Sequence, residues 1–316
     1  QRNDGLHFMA DIERIQLSSL EAFTGEQLSE SNGFVKGNIT ITGAAKEPKF
    51  NGDIQFIEAS TKVKYLNQRL TMEKETISIS PDKVSFNSFK ITDTLNNDAI
   101  IDGYVDIESF SDIKFNLNVT TNDFMVLNTK SVNNKLYYGK VILDSKISVR
   151  GNQSLPIIKA DIKIIHGSHF TFAIPDSKIS IDRGDGIVLF TSDSSSLDPI
   201  MLRQKGETSS KITGLDITAN VSIDKNSTLK ILVDPVSGDS LSVKGDADLN
   251  FRMDASGQTS LNGIYIVSEG SYKASLENLI VRNFQIVRGS TIIWNGDMTE
   301  ALIDISATYS LSLIHI

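Results

Sequence analysis

Apolar and polar residues alternate one by one along most of this chain. The alternation is complete where Ile113, Phe115, Leu117 and Val119 interleave with Lys114, Asn116, Asn118 and Thr120. A period of two sends successive side chains to opposite faces of a strand, so this segment has one dry and one wet face. The same pattern returns at Ile39 and Ile41, Ile54 and Phe56, Ile77 and Ile79, Val84 and Phe86, Ile147 and Val149, and Ile162 and Ile164. It returns again at Ile179 and Ile181, from Ile217 through Val221 to Ile223, from Leu229 through Ile231 to Val233, and across Leu249, Phe251 and Met253. Strands buried on both faces would read as unbroken apolar runs; these do not, so the pattern predicts an antiparallel meander. The densest stretch is residues 263–309, where Ile264 and Ile266 alternate with Tyr265 and Val267. Further on, Ile303, Ile305, Ala307 and Tyr309 share one face.

Glycine and asparagine punctuate the strands. Gly37, Gly52, Gly103, Gly139, Gly186, Gly214, Gly245 and Gly263 are expected to begin strands, and Asn32–Gly33, Asn51–Gly52, Ser237–Gly238 and Asn295–Gly296 to turn the chain. One segment has a helical pattern: Ile15, Leu17, Leu20 and Phe23 share a face from about Leu17, with Ser18 or Ser19 as N-cap. Phe8 to Ile15 reads equally well as a strand. The polar run from Thr191 to Ser210 reads as an exposed loop. The expected division is a connecting segment 1–30, a repetitive β region 31–190, the polar loop 191–213, a second β region 214–310 and the end 311–316. The chain is expected to be an internal fragment, with the final Leu-Ser-Leu-Ile-His-Ile a truncated or foreign end.

So many one-sided strands can be buried in two ways. Two sheets can close as a sandwich, or one sheet can curl into a trough. A sandwich of this size would divide into units with linkers between them, and only one linker-like run occurs.

Composition narrows the function classes. The 316 residues carry a net charge of −8 with no basic stripe, which excludes nucleic acid as a partner. With no cysteine, disulfides, thiolate zinc sites and cysteine nucleophiles are excluded. No window of 18 apolar residues reads as a membrane-spanning helix. His166 and His169 form the one close histidine pair, too few ligands for zinc. Asp182–Arg183–Gly184–Asp185–Gly186 reads as a hairpin turn and not as a calcium loop, which would need a glutamate at its twelfth position. Asn38, Asn118 and Asn226 head glycosylation triplets of a kind frequent by chance in such strands. No nucleophile elbow, P-loop or dinucleotide fingerprint occurs, so no catalytic residue, metal or cofactor is assigned. A polysaccharide lyase or hydrolase reading fails for want of clustered acidic and basic residues.

A set of short motifs then carries a resemblance. They are Asp234–Pro235–x–x–Gly238–Asp239–x–Leu241, Gly245–x–Ala247–x–Leu249, Gly270–Ser271–Tyr272 and Phe284–x–Ile286–x–x–Gly289–Ser290. Ile293–Trp294–x–Gly296–Asp297 and Ala301–x–Ile303–x–Ile305–x–Ala307–x–Tyr309 complete the set. In spacing and residue type these resemble the C-terminal domain of the TamB family, of Bacteroidetes type. Met298 stands where many relatives have proline. The resemblance implies an all-β fold: a long, curled, mostly antiparallel sheet, a β-taco with an apolar groove. At about 4.8 Å per strand, about twenty strands would give a groove roughly 95 Å long. It further implies a periplasmic body anchored in the inner membrane by a segment outside this chain. Its other end would dock on a BamA- or TamA-type outer-membrane barrel, and phospholipid acyl chains would pass along the groove.

The groove set expected from the pattern is Ile113, Phe115, Leu117, Ile217, Val221, Ile231, Leu249, Phe251, Ile264, Ile266, Ile303 and Ile305. Tyr272 and Trp294 suit both groove lining and ordinary core packing. The competing reading is an extracellular β-repeat adhesin. An adhesin would close its dry face into a solid core, whereas a conduit would leave it open.

Overall fold

The chain runs back and forth through one sheet of nineteen strands in a computed structural model that describes residues 6–25, 27–44, 47–108, 111–173, 214–235, 237–276, 280–298 and 300–310. Three long strands, β1 (Leu6–Gln16), β2 (Leu28–Ala44) and β3 (Glu47–Val63), pair antiparallel in order. Two short strands, β4 (Gln68–Met72) and β5 (Thr76–Ile79), share the row beside β3. Then follow β6 (Lys83–Thr92), β7 (Asp98–Asp106), β8 (Lys114–Thr129) and β9 (Tyr137–Asn152). β10 (Leu155–Ile164) and β11 (His169–Ala173) share the next row, both antiparallel to β9. β12 (Asp216–Ile223) and β13 (Thr228–Asp234) lie parallel to them and antiparallel to β14 (Asp239–Met253). β14 pairs β15 (Thr259–Leu276), whose far side holds β16 (Ile280–Ile286) and β17 (Thr291–Gly296). β18 (Ala301–Asp304) pairs β17, and β19 (Ala307–Thr308) pairs β16.

The fold class expected from the alternation is therefore present: all-β, mostly antiparallel, with parallel pairing confined to the step from β10 and β11 to β12 and β13. The nineteen strands make fourteen rows, because five rows each hold two short strands. At about 4.8 Å per row the described sheet spans roughly 60 Å and not 95 Å. The shortfall comes from those shared rows; the glycines mislead in a different way, over where strands begin. Gly37, Gly52, Gly103, Gly139, Gly245 and Gly263 lie inside strands and do not begin them, and neither Asn32–Gly33 nor Asn51–Gly52 turns the chain. A Cβ at Gly103 would sit 2.0 Å from the carbonyl oxygen of Asn116 on the next strand. Such glycines let neighbouring backbones bend and approach, so strands that seemed to end there run on.

Bulges keep the apolar side dry over these lengths. The register shifts between Phe86 and Phe89, between Thr121 and Phe124, and between Lys244 and Gly245. An inserted residue reverses the parity of every side chain beyond it. Phe86 and Phe89 thereby share a face although three residues apart, with ring centroids 5.7 Å apart, edge to face.

Before β2 the chain folds as β1 followed by a 3₁₀ helix, Leu17–Thr24. The strand reading of Phe8 to Ile15 is the one realised. The cap position is Gln16, with no side-chain cap, so neither Ser18 nor Ser19 caps the helix. Gly25 ends it in the left-handed region, at φ 60°. Residues 174–213, with Ile179, Ile181, Asp182–Gly186 and the polar run, lie outside the described residues. His166 and His169 are exposed, and among the described residues no group of three or more potential metal ligands forms.

One buried carboxylate fastens β6 to β8. Asp93 is 3% exposed and accepts three backbone N–H groups: Leu95 at 2.7 Å and Asn97 at 3.0 Å through Oδ1, and Met125 at 2.6 Å through Oδ2. Asp93→Ala strands all three donors. We expect it to lower unfolding free energy by about 3 kcal/mol in a urea titration, whereas Asp93→Asn should keep part of that.

Candidate functional site

The pairings place the apolar residues in unbroken rows across the sheet. Phe86, Gly103, Leu117, Val149, Ile158, Ile217 and Met253 stand opposite one another from β6 to β14. The next row holds Phe89, Ile101, Val119, Ile147, Ala160, Ala219, Phe251 and Leu261. Between them, on the other face, run Asp102, Asn118, Ser148, Lys159, Thr218 and Arg252. Along these rows one face of the sheet is apolar from β6 to β14.

That face has two zones. From β5 to β12 many of its larger side chains, Phe115, Leu117, Val119, Ile147 and Ile217 among them, are half-buried, while Phe89 and Phe124 are buried and Leu127, Val141 and Leu143 form a small buried cluster. Around β14 to β17 it is closed. There Leu241, Val243, Ala247, Tyr265, Val267, Ile286 and Ile292 form a buried cluster. Val267 is 0% and Tyr265 1% exposed. Burial, with Asp246 adding to it, pushes the Tyr265 phenol well above its ordinary range, and its hydroxyl has no hydrogen-bond partner.

The expected groove residues divide accordingly. Phe115, Leu117, Ile217, Val221, Leu249 and Phe251 lie on the dry face, half-buried, and Ile113 stands half-buried just ahead of β8. Ile231 and Ile305 pack against the closed cluster. Ile303 faces Ile292 on the same side but is 61% exposed at the sheet edge. Ile264 and Ile266 are not on this face. They stand opposite Asp248 and Asp246, at 37% and 39% exposure, and Tyr265 and Val267 take the dry positions. In the apolar run Ile264 to Val267 hydropathy carries no phase. The neighbouring strand supplied it: Asp246 and Asp248 must face water, so their partners do too.

The motif residues build the closed end. Asp234 accepts Ser237 N at 3.2 Å in the turn through Pro235 and Gly238, and Asp239 Oδ1 accepts Ser275 N at 2.5 Å. Gly270 admits Val243, whose Cγ1 would lie 2.8 Å from any Cβ there. Gly289 turns β16 into β17 at φ +90° and donates its N–H to Val267 O at 2.8 Å. Trp294 Nε1 donates to Met298 O at 3.2 Å, in the turn that follows Gly296 and takes in Asp297. Tyr272 and Trp294 both pack on the cluster, as core residues do. Burial and then Asp239 raise the Tyr272 phenol.

The wet face has its own order. Lys146, Asp161, Asn220, Asn250 and Asn262 form a row, Asn220 Nδ2 donating to Asp161 Oδ1 at 2.8 Å and Asn250 Nδ2 to Asn220 Oδ1 at 2.9 Å. With the row of Asp144, Lys163, Ser222 and Asp248 it borders a furrow of about 810 Å³.

The family model of the TamB C-terminal domain matches residues 86–313. The chain belongs to the TamB family. The match begins in β6 and takes in both the half-buried zone and the closed end. No curated protein and no solved structure matches the chain. TamB proteins are cell-envelope proteins of bacteria, part of the translocation and assembly module, and work with TamA-type partners in assembly and transport. Among the described residues no helix is long and apolar enough to cross a membrane.

Proposed function

We propose that this chain is the acyl-chain track of a periplasm-spanning TamB protein, carrying phospholipid toward the outer membrane and aiding assembly of outer-membrane proteins. The observation that carries this reading is the half-buried apolar face running unbroken through β6 to β14. At about 0.8 kcal/mol per buried CH₂, a 16-carbon chain gains on the order of 10 kcal/mol there, comparable with a bilayer. A track of near-equal energy lets lipid slide. In this reading an inner-membrane anchor precedes the segment and a BamA- or TamA-type barrel receives its far end.

The test is native mass spectrometry of the gently extracted chain, followed by lipid analysis. Wild type should carry phospholipid. Phe115→Asp, Leu117→Asp and Ile217→Asp should each lose most of it, because a lone carboxylate in an apolar channel is costly. Three such variants that retain lipid would sink the conduit. The adhesin reading draws on the closed cluster around Tyr265 and on the Asn220–Asn250 row. It predicts a stable, lipid-free chain.

A further inference from the structure

The furrow of about 810 Å³ lies on the face opposite the apolar track. Its floor is the backbone at Ile162, Val221 and Leu249, whose side chains belong to the dry face. It crosses β9, β10, β12, β14 and β15, a length of roughly 19 Å at about 4.8 Å per strand. A second furrow, of about 480 Å³, runs beside it and shares the wall of Lys146, Asp161 and Asn220.

That shared wall is fixed in advance. Asn220 is held between Asp161 and Asn250 by hydrogen bonds of 2.8 and 2.9 Å, so polar groups on three adjoining strands keep one orientation. Beside this ladder the Lys146 and Lys163 ammonium groups, the Asp248 carboxylate and the Asn262 amide have no partner among the described residues. The charges balance: Lys146, Lys159 and Lys163 line the two furrows against Asp144, Asp161 and Asp248. A polyanion or polycation therefore gains no net attraction here. An acyl chain would leave these polar groups unpaired. An extended peptide finds no free backbone edge, because every one of the five strands pairs on both sides. The ligand that fits donates and accepts hydrogen bonds along its whole length and carries no net charge.

We propose that this furrow binds a linear, uncharged glycan. Its hydroxyl groups bond to the open groups of Lys146, Lys163 and Asp248 and to the Asn220–Asn250 ladder, whose prior ordering lowers the entropy lost on binding. Plain and N-acetylated sugars share this chemistry. Asn262, an amide open at both ends, matches an acetamido group in donor and acceptor. The site lies on the other face from the track and does not depend on it.

The probes are cellohexaose, which carries hydroxyls alone, and chitohexaose, which adds acetamido groups, each titrated by calorimetry into the purified chain. Saturable one-to-one binding of at least one is expected, tighter than that of its disaccharide because the furrow crosses five strands. Binding of both assigns the site to glycans at large, and binding of chitohexaose alone to acetamido-bearing ones. Asn220→Val, at an exposed strand position, removes the centre of the ladder. It should keep the urea midpoint of wild type and weaken binding at least tenfold, the worth of one or two hydrogen bonds. Ser222→Trp fills the furrow and should abolish binding. Absence of saturable binding by either hexaose up to about 1 mM overturns the site, as does unchanged affinity in folded Asn220→Val. Self-association of wild type that Ser222→Trp abolishes and neither hexaose disturbs would give the furrow to a second copy of the chain and overturn the glycan.

Discussion

Tyr265→Lys should unfold the C-terminal end of the sheet, while Ile264→Lys, one residue away, should leave it folded. Tyr265 is 1% exposed and touches the cluster of Ala247, Val267 and Ile292. Lysine there removes an aromatic ring from a packed core and puts an ammonium group in its place. Loss of the ring alone costs about 3–5 kcal/mol, and an unpaired buried charge adds to it. Ile264 instead faces Asp248 on the wet side at 37% exposure. Lysine there meets water and a carboxylate, so the change should stay within about 0.5 kcal/mol. Denaturant midpoints measured on both variants decide the point. If Ile264→Lys is the damaging one, the phase assigned to β15 is wrong.

That pair also marks what could be read from the residues alone. Period-two alternation was enough for strands with one dry face, and for the half-buried positions Phe115, Leu117, Ile217, Val221, Leu249 and Phe251. In each of those segments polar neighbours hold the phase. It failed at Ile264 and Ile266, where four apolar residues run together and only the aspartates of the adjacent strand settle the face. The bulge between Lys244 and Gly245 compounds this, because it places Tyr272 on the same side as Tyr265 despite the odd spacing. Strand length is hidden for another reason. Glycine reads as punctuation, but Gly37, Gly52 and Gly103 serve close approach between strands. A cavity of about 280 Å³, lined by Leu17 and Leu20 of the 3₁₀ helix and by Phe56, Leu70, Met72 and Ile91 of the strands, was not legible. It depends on β4 and the 3₁₀ helix meeting over β3, a tertiary event without a local signature.

Gly103→Ala should cost far more than Gly296→Ala, although both glycines sit at nearly the same backbone angle. Their φ values are +122° and +123°, so the strain of placing an L residue there is common to both. That strain amounts to about 1–3 kcal/mol. They differ in what the new methyl meets. At Gly296 nothing lies within 4 Å. At Gly103 the Cβ falls 2.0 Å from Asn116 O and 3.1 Å from Leu117 Cα, both backbone atoms of β8. No side-chain rotation relieves that contact, so β7 and β8 must part locally. The cost beyond Gly296→Ala should be roughly 2 kcal/mol or more, read as a difference in thermal midpoint. Hydrogen exchange should quicken around Asn116 and Asn118 in the Gly103 variant and stay unchanged there in the Gly296 variant. Gly103 stands in the dry row between Phe86 and Leu117. A parted β7–β8 seam therefore breaks the continuity of the apolar face at mid-sheet, and the same variant should carry less phospholipid than Gly296→Ala even at temperatures where both are folded.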